Sequence, residues 1–546
     1  MELQTKLGKI RGRLWNVSEE IKSKDGEQHL EVANFNKIPF ARTPRLSKPV
    51  SFGKWEDTID GTGNTPMVPQ NDGFMEKLHL MEGQTFISKA MFEKLNAETK
   101  TDDEVLHLSV YTPSNFKSAS KKKPVMVFIH GGGFLFGGAY MYNAAPLVAV
   151  GDCVVVTISY RMNMLGFLGG NWGLWDQVEA LKWVKANIGD YGGDRDNVTI
   201  FGESAGSWSV ECHLLSERST GLFHRAICQS GSIQILKPKP ELPAMIKFAQ
   251  EYFEVNDFDC LKAKVKKASV NEILEFYGKV PKGMEECFRT LSGDDGFFST
   301  APWQMKEFVN KVPVLAGKNQ SECGAMLLVF LEEMMPGLST GLTKEALKGA
   351  IQFGVAKLVQ DEAKAAEITE KTFHAWLSIY MEDKKDPMTY TRIFAQSMAD
   401  QFFYGVVDRM ENNSELQDMF LYEFDSRTEM FHDTEFHGSS PNIRPEFCRT
   451  DHGDDLVYTF GYPFLADFFT LMDGQRWTEQ EIALSKRVMK IWSQFALTGS
   501  PGWNKYDKAT KLFNVFNKEG VLLKSGNDPM LIARFNMWKA SVYGPA

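Results

Sequence analysis

Short apolar runs rich in β-branched side chains alternate along this chain with longer segments whose apolar positions recur at helical spacing. Pro124-Val125-Met126-Val127-Phe128-Ile129, Cys153-Val154-Val155-Val156-Thr157-Ile158-Ser159-Tyr160, Val198-Thr199-Ile200-Phe201 and Val312-Pro313-Val314-Leu315-Ala316 are runs of the first kind. The second is apolar without alternation, which predicts a strand covered on both faces, as in a parallel sheet. After it, Leu174, Val178, Leu181, Val184 and Ile188 fall on one helical face, so this stretch predicts a crossover helix leading to the next strand. Residues 325–400 read as mostly helical and carry methionines such as Met326, Met334 and Met335, which suit plain helical core better than a cover over a site. The alternation as a whole predicts an α/β protein: a large, mostly parallel central sheet flanked by helices. There are no internal repeats and no low-complexity linker.

Two glycine-rich segments sit where predicted strands end. Gly202-Glu203-Ser204-Ala205-Gly206 follows the third apolar run and precedes the helical stretch from Trp208 to Leu215. Strand, sharp turn and helix in that order place the Ser204 hydroxyl at the tip of the turn. A base can reach it there, and the helix N-terminus favours negative charge. The pentapeptide alone is a weak signal in a glycine-rich chain. Upstream, the first apolar run leads into His130-Gly131-Gly132-Gly133-Phe134. A bare glycine triplet reads as a flexible turn when it stands alone. Following a strand, and with the serine turn downstream, its amides become oxyanion donors, and the candidates are Gly132, Gly133 and Ala205.

A serine of this kind requires an acid and then a base further along the chain. Glu322 lies in the polar segment Gly317-Lys318-Asn319-Gln320-Ser321-Glu322-Cys323-Gly324 directly after the fourth run, read here as a loop at a strand's carboxyl end. His452 lies in Asp451-His452-Gly453-Asp454-Asp455, also a polar loop. Either residue alone reads as an ordinary surface group; the order serine, acid, histidine gives them weight. His213 and His224 fall in helix or strand patterns and read as packed or solvated.

The longer motifs bear a family likeness. Asn36-Lys37-Ile38-Pro39-Phe40-Ala41, Ser159-Tyr160-Arg161, Leu165-Gly166-Phe167-Leu168, Asn171-Trp172-Gly173-Leu174-Trp175-Asp176-Gln177, Phe223-His224-Arg225-Ala226-Ile227-Cys228-Gln229-Ser230-Gly231-Ser232 and Trp492-Ser493-Gln494-Phe495-Ala496-Leu497-Thr498-Gly499 all contribute. With them the chain resembles, nearly end to end, the type-B carboxylesterase and cholinesterase family of α/β-hydrolases. The resemblance implies the α/β-hydrolase fold with helical insertions over the active site and one catalytic domain spanning residues 1–546. It implies Ser204 as nucleophile, His452 as general base and Glu322 as the acid that orients it, hydrolysing esters through an acyl-enzyme with no cofactor and no metal.

The departures from that family also carry meaning. The two cysteines that usually bridge the loop after the amino-terminal sheet are replaced by Val68 and Val105, and a second usual bridge near Cys260 lacks its partner between Tyr252 and Asp259. Seven cysteines without paired spacing suit a reducing compartment. No tryptophan occurs between Trp55 and Trp172, where cholinesterases hold a quaternary ammonium, so the expected substrate is an uncharged, apolar ester. Trp208 in place of a small residue, and a loop cut to Gly169-Gly170, should reshape the pocket.

Composition sets the remaining bounds. A formal charge of -9 makes nucleic acid an unsuitable partner, and Lys121-Lys122-Lys123 reads as a solvated loop. The amino terminus has no apolar signal core, the end is no retention signal, and no stretch reaches the roughly 18 apolar residues of a membrane span. A cytoplasmic location is expected, in which the sequons at Asn16, Asn197, Asn319 and Asn412 carry no sugar. Two rival readings remain: a slow esterase acting as a stoichiometric ligand trap, and a non-catalytic relative acting by surface contacts. The sequence leaves the oligomeric state open.

Overall fold

The computed structural model describes residues 1–17, 31–70, 101–233, 236, 242–281, 291, 295–322, 337–338, 340–356, 361–380, 382–427, 447–465, 477–525, 532–534 and 536. Its strands are β1 (Glu2–Gln4), β2 (Lys9–Arg11), β3 (Arg13–Asn16), β4 (Glu31–Arg42), β5 (Val50–Ser51), β6 (Ile59–Asp60), β7 (Val105–Pro113), β8 (Lys123–Ile129), β9 (Val154–Ile158), β10 (Gly193–Glu203), β11 (Arg225–Gln229), β12 (Val314–Asn319), β13 (Met419–Phe424), β14 (Leu512–Phe516) and β15 (Val521–Ser525). Twelve of them form one sheet in the order β15-β14-β13-β12-β11-β10-β8-β9-β7-β4-β3, with β5 beside β4. Every pairing from β9 through β8, β10, β11, β12 and β13 to β14 is parallel. Antiparallel strands close both margins. The predicted mostly parallel sheet is what forms.

Alternation within β8 shows why the sheet is covered on both faces. Val125, Val127 and Ile129 enter one core with Leu174, Val178, Leu181 and Val184 of helix α1 (Trp172–Asn187), the predicted crossover. Met126 and Phe128 enter the opposite core. Fully burying each such side chain contributes about 1.5–3 kcal/mol, so both layers are needed to hold the strands flat against each other. Helix α2 (Ala205–Leu215) follows the serine turn. Helices α3 (Lys344–Ala356), α4 (Glu362–Ile379) and α5 (Thr389–Asn413) share a separate apolar cluster around Leu347, Ile351, Phe373, Trp376 and Phe394, in line with the helical reading of this region. Met326, Met334 and Met335 lie outside the described residues. Helix α6 (Asp454–Thr459) follows His452. Helix α7 (Glu479–Thr498), opened by the Thr478/Glu481 capping box, sends Leu484, Val488, Met489 and Trp492 into the second core.

Strand β12, the fourth apolar run, departs from expectation. It starts after Pro313, which has no N–H to give, and runs on through Gly317, Lys318 and Asn319, read from sequence as loop. Those polar residues are tolerated in a buried strand because they are paired: Lys318 Nζ lies 2.9 Å from Glu423 Oε2 on β13 and donates to the carbonyls of Asn319 and Gln320.

Val68 is buried and Val105 opens β7, and their segments are joined by backbone, Asp102 N donating to Met67 O at 2.9 Å. Cys153, Cys212, Cys228 and Cys260 are free thiols; Cys287 and Cys323 lie outside the described residues. Apolar burial and backbone pairing do here what a covalent link does elsewhere. The thermal unfolding midpoint should therefore be the same with and without dithiothreitol; a fall of several degrees on reduction would reveal a structural disulfide.

Candidate active site

Ser204 stands between β10 and α2 with φ 56° and ψ −120°, a backbone conformation that costs a non-glycine residue roughly 1–3 kcal/mol. The surroundings impose it. Ser204 N donates to Gln229 O on β11 at 2.9 Å, and Trp208 N donates to Ser204 O at 3.0 Å. Gly206 has no room for a side chain, since a Cβ there would lie 1.9 Å from the Ile129 carbonyl oxygen. The glycines of the motif thus let α2 press against the end of β8, and the hydroxyl is presented by a strained, fixed turn.

The glycine loop packs directly on that turn: a Cβ at Gly131 would lie 3.1 Å from Ser204 Cβ. Gly132 and Gly133 have φ of 97° and 64°, and the turn is closed by Leu135 N and Phe136 N donating to Gly132 O. Among the described residues no carbonyl or side chain accepts from the N–H of Gly132, Gly133 or Ala205. The loop is held from behind. Tyr160 stacks on His130 with ring centroids 4.3 Å apart and donates to its carbonyl at 2.7 Å. The Gln70 amide bonds both the N–H and the C=O of Gly137. Burial pushes His130 down to about 4, so this ring is a neutral support.

Glu322 and His452, singled out in the sequence, lie side by side. His452 Nδ1 lies 2.6 Å from Glu322 Oε2, and Asn319 N donates to Glu322 Oε1 at 2.6 Å, so both oxygens of this fully buried carboxylate are engaged. The two loops are stitched together by Gln320 N donating to Thr450 Oγ1 at 2.8 Å and Ser321 N to Thr450 O at 3.2 Å. The other face of the imidazole turns to the serine turn, with His452 Nε2 3.2 Å from Oε1 of Glu203, the residue before Ser204. By contrast His213 is a packed helix residue bonded to Ser219 and Gln177, and half-buried His224 accepts from Val198 N.

Sequence reasoning missed two carboxylates that shape the field here. Burial pushes Glu203 up to about 8, with Asp455 and Glu322 adding to the rise and His452 opposing it. Burial likewise lifts Asp455 to about 6. For His452 burial disfavours the imidazolium, but Glu203, Glu322 and Asp451 outweigh it and push the ring up to about 10. Both missed residues lie inside quoted motifs; the only signal was an acid one residue before the serine and another three after the histidine. Among the described residues no cluster of three or more His, Cys, Asp or Glu side chains is arranged to hold a metal ion. Nor is any helix there long and apolar enough to cross a membrane.

The sequence model of the carboxylesterase family matches residues 1–533. The chain belongs to the carboxylesterase family. It is 32% identical to carboxylesterase 3B of Mus musculus, over 96% of this chain and 88% of that protein. It is 30% identical to the medium-chain fatty acyl-CoA hydrolase precursor of Anas platyrhynchos, over 93% and 87% of the two chains, and 30% identical to the cocaine esterase of Homo sapiens, over 86% and 80%. Its sheet of twelve strands flanked by helices fits the α/β-hydrolase fold of this carboxylesterase family, and membership supports carboxylic-ester hydrolysis as its class of reaction.

If His452 must be neutral to accept a proton, activity falls as pH drops through its raised pKa, and the fall begins well above histidine's ordinary ~6.5. Glu203→Gln removes one source of that rise and should move the acid limb of kcat/KM to lower pH by about one unit. A limb that stays put or moves to higher pH would contradict the placement of Glu203 against the imidazole.

Proposed function

We propose that this chain is a serine carboxylesterase whose residues 1–546 act as one catalytic unit on small, uncharged, apolar esters through an acyl-enzyme intermediate. One observation carries the reading: an imidazole fixed by a buried glutamate has its second nitrogen turned toward a strained serine turn. In the proposed cycle His452 Nε2 takes the Ser204 proton as Oγ attacks the ester carbonyl. The N–H groups of Gly132, Gly133 and Ala205 stabilise the oxyanion, and His452 then protonates the leaving alcohol before water repeats the sequence. Glu322 keeps the ring in the tautomer that leaves Nε2 free to accept and stabilises the imidazolium that follows. No step needs a cofactor or metal.

Preference for apolar esters is supported by the lack of any tryptophan between Trp55 and Trp172. A cytoplasmic location accords with the free thiols, and the charge of -9 gives no hold for nucleic acid.

Ser204→Ala should abolish nearly all turnover, leaving at most about 10³ to 10⁴ over the reaction in water, because nucleophile and base act as a unit. Activity within about tenfold of the parent would sink the mechanism. Among p-nitrophenyl esters of graded acyl length, kcat/KM should rise with apolar acyl groups and an acetylcholine analogue should be a poor substrate. One equivalent of nitrophenol followed by almost none would point instead to a stoichiometric trap.

A further inference from the structure

Asn319 is fully buried at the end of β12, a position where a polar side chain is tolerated only if its amide is used. Its two ends serve different partners. The backbone N–H donates to Glu322 Oε1 at 2.6 Å. The side-chain Nδ2 lies 3.2 Å from Asp455 Oδ1 and 3.3 Å from Ser230 Oγ. Asp455 stands in the first turn of α6, three residues beyond His452, and its other oxygen accepts from Gln229 Nε2 at 2.7 Å and from the Tyr422 hydroxyl at 3.3 Å. Gln229 in turn accepts from Trp492 Nε1 through its side chain and from Ser204 N through its carbonyl. The strand that delivers Glu322, the helix that follows His452 and the strand that holds Ser204 are therefore joined through two buried amides and one buried carboxylate.

We propose that Asn319 is a positioning residue: its side-chain amide, clamped on Asp455, fixes the segment bearing His452 in register with Glu322. The proposal rests on reading Glu322 and His452 as the acid–base pair. Gln320 and Ser321 already tie the two loops at Thr450, but those bonds lie on the histidine's amino-terminal side. The Asn319–Asp455 bond fixes the carboxyl-terminal side, so that the turn is held at both ends and the imidazole cannot pivot about Thr450. Asn319 reaches no solvent and hence no substrate, so its effect falls on the geometry of proton transfer, where displacement by about 1 Å costs on the order of 10²-fold. The same burial leaves no space for a sugar at this sequon.

Replacing the amide by a carboxylate of the same shape tests this. Asn319→Asp sets two carboxylates against each other and should lower kcat about 100-fold while KM stays within about threefold. The exchange Asn319→Asp/Asp455→Asn restores an amide–carboxylate pair with its polarity reversed and should recover at least about tenfold of that loss. A merely structural role would not give rescue confined to kcat. Asn319→Asp with kcat within about threefold of the parent overturns the proposal, as does a folded double variant no faster than the single one. Should Asn319→Asp fail to fold, Asn319→Ala keeps the backbone bond to Glu322 without the repulsion; it should lose kcat in the same direction, and parent-like kcat would overturn the proposal equally. Stoichiometric labelling of Ser204 by a fluorophosphonate in each variant confirms that the serine is intact. Retained activity in Ser204→Ala would instead strike the underlying reading, leaving the two failures distinguishable.

Discussion

A carboxylate removed from water must have its oxygens satisfied, and at Glu322 that requirement organises the carboxyl edge of the sheet. One oxygen takes the Asn319 N–H and the other takes His452 Nδ1, each at 2.6 Å. The first bond needs β12 to run three residues further than its apolar stretch, which in turn needs Lys318 paired with Glu423 on the neighbouring strand. The second needs the loop before α6 to lie over the end of β12, which Thr450 secures from both Gln320 and Ser321. The pairing of Glu322, together with the bonds at Thr450 and Asp455, brings a histidine 130 positions away beside the serine turn.

The charge pattern around the ring follows from the same burial. Glu203 and Asp455 are pushed up by loss of water, while the imidazole beside them, though burial opposes its charge, is pushed up by Glu203, Glu322 and Asp451. Protons in this cluster are therefore held jointly, and an anionic Glu203 would favour an imidazolium, the species formed when a serine loses its proton to the ring. The strained Ser204 backbone adjoins this cluster through Glu203, and the glycine loop packs on the same turn.

Much of this was legible in the chain because it is local. The β8, β9 and β10 apolar runs, the α1 spacing and the two glycine segments are patterns of adjacent residues, and each lies where periodicity or turn chemistry puts it. Glu322 and His452 were singled out by order along the chain, and their side chains lie in contact in the structure. What adjacency could not show was pairing at a distance. Asn319 meets Asp455 across 136 positions and Ser230 across 89, and Glu203 meets His452 only after the sheet has formed. For the same reason the polar end of β12 read as loop: a lysine and an asparagine in sequence look solvated until their partners on β13 and α6 are known.

The most direct test is chemical. Protein mixed with an excess of a p-nitrophenyl ester, quenched in acid within the first turnover and digested, should carry one acyl group, on the peptide containing Ser204, and Ser204→Ala should carry none. An acyl group found on another residue, or product released with no covalent intermediate when deacylation is slowed, would contradict the assignment of this turn as the nucleophile.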